Sequence, residues 1–351
     1  MRGIELIKRQ TVDRWAAAVI FLALFLIPIV LSLYDTLMFG KIITYMIFAL
    51  ALDILWGAAG LMDLGFAVFF GLGGYCFGIS LACQKGLPAF MSYGGLTKLP
   101  MLFAPLKSIP IAVVLSMAVP AAVALLLGIF IFYSKIKGVF FNLITLALAA
   151  LFELLLENKQ TYTGGTSGIN GITAGLDMIT FFGRPISIVG WYYIAFVALV
   201  GVYFLCRFLT QSRFGKVINS VRDNENRLQF LGYNPAVFKL AIFTIASFIA
   251  GFAGMLYIPM TSFISIEAAG VSFSTTALVW LAVGGRGNLT GAMFGALVVS
   301  FLQSKLSESF GPLWQLVLGI VLIVIVFALP HGIIGTLKDM QYNRRTRIQA
   351  A

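Results

Sequence analysis

Apolar runs about as long as a bilayer is thick return from one end of this chain to the other, and few polar residues interrupt them. A helix needs about 20 apolar residues to cross the hydrocarbon core, and inside it every backbone group must be satisfied within the protein. Of the 351 residues, 60% are apolar and only 11% charged, against roughly 25% charged in a soluble domain. So little polar surface cannot cover a globule in water. The bilayer is the solvent, and the fold class is an all-α, polytopic membrane helix bundle.

Reading along the chain places ten spans near residues 15–34, 42–59, 64–83, 109–133, 139–156, 190–209, 239–258, 272–284, 290–303 and 312–329. The first run is long enough to cross, and no small-residue cleavage site follows it, so it reads as a retained helix rather than a signal peptide. With both termini cytoplasmic, most of the 24 Lys and Arg fall on the inner side, as cytoplasmic loops require. Residues 1–14 then form a cytoplasmic N-terminus and 15–336 one transmembrane domain with a cytoplasmic loop at 210–238. Residues 337–351 form a basic cytoplasmic tail. The two longest stretches outside the membrane, about 157–189 and 210–238, are each too short to bury a core of their own.

The residues rule out several kinds of chemistry. The net charge of +11 does not come with a basic face interleaved with aromatics, so nucleic acid is not the partner. His331 is the only histidine, which excludes zinc sites built on paired histidines. Phe214-Gly215-Lys216 lacks the upstream glycine and following hydroxyl of a phosphate-binding loop, and no catalytic constellation or cofactor motif is present. Cys76, Cys83 and Cys206 lie in apolar stretches and read as small buried hydrophobes. What remains is passage of a solute.

Polar groups inside apolar spans normally face a bundle interior or a path, because a charge at mid-bilayer costs roughly 2.5–3.5 kcal/mol on insertion scales. Asp53 and Glu153 are two such groups, and Asn142 and Thr145 precede Glu153 on one span at helical spacing. These four are the candidate substrate path; the alternative is that they bind neighbouring helices together. Glycines cluster twice, from Gly57 to Gly78 and from Gly284 to Gly295, each cluster following a tryptophan (Trp56, Trp280). They mark either interrupted helices beside a path or close packing through small residues.

Between spans six and seven, Phe214, Val217, Ile218 and Val221 have the spacing of an amphipathic helix. Gly232 reads as a helix C-terminal glycine, and Asn234-Pro235 as an N-cap with proline at the first helical position. Two short helices are therefore expected under the membrane. Their polar face mixes Arg222 and Arg227 with Asp223 and Glu225. Mixed charge suits a protein partner better than lipid headgroups.

Gly60-Leu61-Met62-Asp63-Leu64-Gly65 with Phe69 to Tyr75, Ser134 to Phe141, Ser212 to Pro235, Ala250 to Tyr257, Trp280 to Gly287 and Leu329 to Gly335 together resemble the inner-membrane permeases of ATP-driven importers for branched-chain amino acids and urea. The match runs from about 45 to 336. Ile136 to Phe141, Gly232 to Pro235, Tyr257-Ile258-Pro259 and Trp280 to Gly287 are most similar to the urea branch, while Thr163 to Gly168 and Glu153 look closer to the amino-acid branch. Asp63 and Phe66 stand where the family usually has serine and histidine. The resemblance implies a non-catalytic permease subunit in a bacterial cytoplasmic membrane. Its partners would be a second homologous permease, two cytoplasmic ATPases and an extracytoplasmic binding protein. The solute would be urea or a short amide, or alternatively a branched-chain amino acid. Arg213, Phe214, Gly215, Lys216, Arg222, Asp223, Glu225, Gly232, Asn234 and Pro235 would couple it to the ATPase. A self-sufficient channel or carrier is the reading of another class.

Overall fold

The structure is a computed structural model that describes residues 2–320, except Lys137, 182–183, 311–312, 314–315 and 317–318. His331, the tail 337–351 and most of the expected span 312–329 lie outside the described residues. Helix α1 runs Arg2–Val30, and α2, Leu33–Leu52, continues into a π-helical turn, Asp53–Ala58. Then come α3 (Ala67–Ala82), α4 (Ala89–Tyr93), α5 (Ile109–Tyr133), α6 (Val139–Asn158), α7 (Gln160–Thr163) and α8 (Thr173–Leu176). A two-residue hairpin, β1 (Thr180–Phe181) with β2 (Arg184–Pro185), precedes α9 (Ile188–Gln211). The remainder is α10 (Arg213–Asp223), α11 (Glu225–Phe230), α12 (Pro235–Thr261), α13 (Val271–Gly284) and α14 (Leu289–Phe310).

Six of these helices are long and apolar enough to cross a membrane: Leu33–Ala58, Ile109–Tyr133, Val139–Asn158, Ile188–Gln211, Pro235–Thr261 and Leu289–Ser309. Trp15–Val30, Ala67–Ala82 and Val271–Gly284 are shorter apolar helices. Each overlaps one of the expected spans. Boundaries differ from expectation at several ends, among them α14, which runs to Phe310 rather than 303, and the start of α2. Residues 35–41 read as a connection, but α2 already starts at Leu33. Ser32 is the reason: its Oγ accepts from Asp35 N at 3.3 Å, the N-cap arrangement that turns a chain into a helix.

Glycine decides how closely the middle helices approach. A Cβ on Gly73 of α3 would strike the backbone of Gly251 in α12, and one on Gly254 would strike the Phe70 carbonyl. Gly251 in turn lies against Ser116 and Pro120 of α5. The second cluster does the same work between α13 and α14, where Gly284 meets Gly291 and Gly295 meets the Trp280 carbonyl. Close packing is therefore what both glycine clusters provide. Aromatic rings fill the space between these helices. Phe48 stacks on Phe66 and Phe273 at 5.2 and 5.3 Å between ring centroids, and Tyr45 stacks on Trp280 at 5.1 Å. Cys83 and Cys206 are buried and Cys76 half-buried, all as free thiols.

Candidate functional site

At one end of the bundle, the ends of α2, α10, α12 and α13 converge. Local sequence explains how α10 and α11 are set there. Ser212 caps α10, its Oγ accepting from Gly215 N at 3.2 Å. Gly215 has no Cβ because one would strike the carbonyls of Leu209 and Thr210, so glycine lets the chain bend sharply off α9. Asn224 caps α11 by accepting from Arg227 N at 3.0 Å. Gly232 follows at φ 85°, with its N–H donating to Gln229 O at 2.9 Å. Asn234 Oδ1 then accepts from Ala236 N at 3.1 Å, and Pro235 takes the first position of α12. Gly232 and Asn234-Pro235 stand as the sequence placed them, while the caps at Ser212 and Asn224 emerge only from the structure.

The apolar face of α10 is anchored. Gly215, Ile218 and Val221 are buried, and Phe214 packs on Phe238 of α12 with centroids 5.8 Å apart. Two polar ties fix the pair further. Lys239 Nζ of α12 sits 2.9 Å from Glu225 Oε2 of α11, with side chains only 10% and 20% exposed. Arg222 pairs with Asp223 at 3.1 Å, yet its guanidinium also turns back to the membrane body and donates to Gly57 O at 2.7 Å. The sequence put Arg222 on the outward face; the structure shows it reaching inward as well. Arg213, Lys216, Asp223 and Arg227 remain exposed.

Two residues at the tip went unnoticed in the sequence. Phe230 is 91% exposed and Leu231 70% exposed. Their signal was an apolar pair directly before a C-terminal glycine, in a loop otherwise rich in charge.

The four expected path residues fall into three separate settings. Asp53 is buried at the start of the π-turn, and its Oδ1 accepts from Gly287 N, in the turn between α13 and α14, at 2.7 Å. Thr145 is buried; its Oγ1 donates to Asn142 O at 3.1 Å and accepts from Leu64 N at 3.3 Å. Glu153, half-buried on α6, lies against Gly270 at the start of α13, where a Cβ would come within 3.1 Å of its carboxylate. Acidic groups belong at such helix starts. Thr145 also borders a cavity of about 270 Å³ among α3, α5, α6 and α12, with Phe69, Ile131, Ile144 and Phe243 as apolar walls. Asp63 reaches its edge. Asp63 Oδ1 accepts from Gly65 N at 2.7 Å. No group of three or more His, Cys, Asp or Glu able to hold a metal occurs among the described residues.

The family model described as "Branched-chain amino acid transport system / permease component" matches residues 36–326. The chain belongs to this permease family. The high-affinity branched-chain amino acid transport system permease protein LivM of Salmonella typhimurium is 26% identical over 310 residues, covering 83% of this permease and 67% of that protein. A probable branched-chain amino acid transport permease protein LivM of Methanocaldococcus jannaschii is 24% identical, covering 84% of each chain. The ribose import permease protein RbsC of Haemophilus influenzae is 24% identical over 219 residues, 60% of this permease and 65% of that protein. No solved structure matches. The permease family accounts for the apolar helices of the bundle and assigns this chain to membrane transport.

Proposed function

We propose that this permease is the membrane subunit of an ATP-driven importer. With a second homologous permease it forms the path of a small, hydrogen-bonding solute, and two cytoplasmic ATPases and an extracytoplasmic binding protein complete the machine. The observation that carries this reading is the rigid seating of α10 and α11. A pair of short helices, capped at each start, pinned by Lys239–Glu225 and tied by Arg222 to the π-turn that follows α2, offers a partner protein both mixed charge and two bare apolar side chains, Phe230 and Leu231. Such a combination suits a protein groove, where an apolar anchor gives affinity and rim charges give orientation. The membrane on this reading is the bacterial cytoplasmic membrane, and ATP hydrolysis belongs to the partner.

Within that class we assign urea or a short amide as solute, on the resemblance of residues 136–141, 232–235, 257–259 and 280–287 to the urea branch. Asn142, Thr145 and Glu153 are the polar groups assigned to the path, whereas Asp53, expected there from the sequence, has its Oδ1 taken up by Gly287 N. A second reading, a branched-chain amino acid, is supported by the names of LivM relatives. A zwitterion needs partners for two opposite charges, whereas urea needs hydrogen-bond groups alone. Uptake of labelled urea and of labelled leucine, each competed by the other, separates them in cells carrying the whole importer. Leucine uptake without urea uptake removes the first reading. Concentrative uptake by the purified permease alone in liposomes removes both in favour of a self-sufficient carrier.

A further inference from the structure

Two hydrogen bonds are joined through one turn at the α10 end of the bundle. Arg222 of α10 donates to Gly57 O at 2.7 Å. Gly57 belongs to the π-helical turn that Asp53 begins. Asp53 Oδ1 accepts from Gly287 N at 2.7 Å, and Gly287 sits in the turn between α13 and α14. A Cβ on Gly57 would come 2.7 Å from Gly287 N and would also strike Asp53 Oδ1. Glycine is thus what lets that turn close onto the carboxylate. Arg286 completes the joint from the other side, its guanidinium 5.3 Å from the centre of the Trp56 ring.

The chemistry of the joint explains its parts. A π-turn winds one residue more per bond than an α-helix and is concentrated at working sites. The last carbonyls of a helix have no partner in the helix; a guanidinium supplies one with a charge-assisted bond. A buried carboxylate that accepts a backbone N–H is held in the same way. The α13–α14 hairpin touches through backbone at Gly284–Gly291 and at Gly295–Trp280, so a pull on Gly287 moves both helices together.

We infer that Asp53 is a positioning residue of the transport stroke, passing displacement of α10, received at the Gly57 carbonyl, to the α13–α14 hairpin. The inference rests on α10 and α11 being the seat of the ATPase. It differs from a path role for Asp53, which needs the charge itself to face the solute.

The test uses the complete importer in liposomes, with Cys76, Cys83 and Cys206 changed to alanine and spin labels on cysteines placed at exposed positions. One pair joins Leu126 to Ser220, an exposed α10 position outside the expected coupling set, reporting α10; the other joins Leu126 to Thr275, reporting α13. Distances are compared without nucleotide and with ATP plus vanadate. In the parent protein both pairs should shift. Asp53→Leu should keep the α10 shift and lose the α13 shift, with transport per ATP hydrolysed falling about tenfold, as for loss of an interaction used in the stroke. Asp53→Asn retains an oxygen able to accept from Gly287 N and should behave within about twofold of the parent. Arg222→Gln, on the partly exposed side of the joint, should uncouple like Asp53→Leu, and the double variant should be no worse than either alone, since both break one linkage. An α13 shift that survives Asp53→Leu, an Asp53→Asn as impaired as Asp53→Leu, or additive losses would overturn the linkage. Absence of an α10 shift in the parent would instead overturn α10 as the ATPase seat.

Discussion

Replacing Gly73 by alanine tests one of the close backbone contacts between helices. The new Cβ would stand 2.6 Å from two backbone carbons of Gly251 and would strike its carbonyl oxygen. Carbon atoms rest near 3.5–4.0 Å, so α3 and α12 must part by about 1 Å. Neither obstacle is a side chain that can swing aside. Overpacking of this kind costs about 1–3 kcal/mol, against which alanine recovers about 1 kcal/mol of helix propensity. The net expectation for Gly73→Ala is a loss of up to about 2 kcal/mol. Gly78→Ala, one turn further along the same helix, is the internal control: its Cβ would meet side-chain methyls of Ile264 and Ile172 at 3.4 and 3.6 Å, ordinary contact. That variant should be neutral or slightly stabilising. Thermal unfolding of the purified protein in detergent, followed by circular dichroism, should show Gly73→Ala a few degrees below the parent and Gly78→Ala at or above it. Equal midpoints for the two variants would refute the backbone contact between α3 and α12.

Further outcomes follow from other contacts. Phe230→Ser with Leu231→Ser should weaken co-purification of the ATPase at least tenfold while leaving the unfolding midpoint within a degree or so, because both side chains are bare and hot-spot anchors act only on binding. Glu225→Ala strands Lys239, whose ammonium is 2.9 Å from the carboxylate and only 10% exposed; a loss of about 1–3 kcal/mol, discounted for partial exposure, should appear as faster proteolytic nicking within 224–234. Ser32→Ala removes the cap of α2 and should cost about 1 kcal/mol, read as a lower unfolding midpoint that Ser32→Asp restores.

The bundle was legible because its signals are long: an apolar run of bilayer length needs no tertiary context to be recognised. The cytoplasmic pair was legible for another reason. Gly232 and Asn234-Pro235 act on their own backbone within a few residues, so their chemistry is local; the equally local caps Ser212 and Asn224 were not read from the sequence. The start of α2 was missed although Ser32 and Asp35 spell a cap, because the apolar count placed the span nearer its middle. The path residues were the least legible. Asp53, Thr145 and Glu153 share rarity in apolar surroundings, and rarity says that a partner exists without naming it. Their partners are the N–H of Gly287, the N–H of Leu64 and the start of α13, all far along the chain and none encoded by spacing. Arg222 showed the same limit: periodicity gave its face, while its length let the guanidinium fold back to Gly57.

The bond between Asp53 and Gly287 joins residues 234 positions apart, and this has a bearing on biosynthesis. Chains emerge from the ribosome at about 5–20 residues per second, so the carboxylate enters the bilayer many seconds before its donor exists. The glycine faces of α3 can wait in lipid at little expense, since they present no charge. Asp53 cannot. A nascent chain halted before α13 therefore carries, in the turn after its second helix, a carboxylate that still lacks its Gly287 donor.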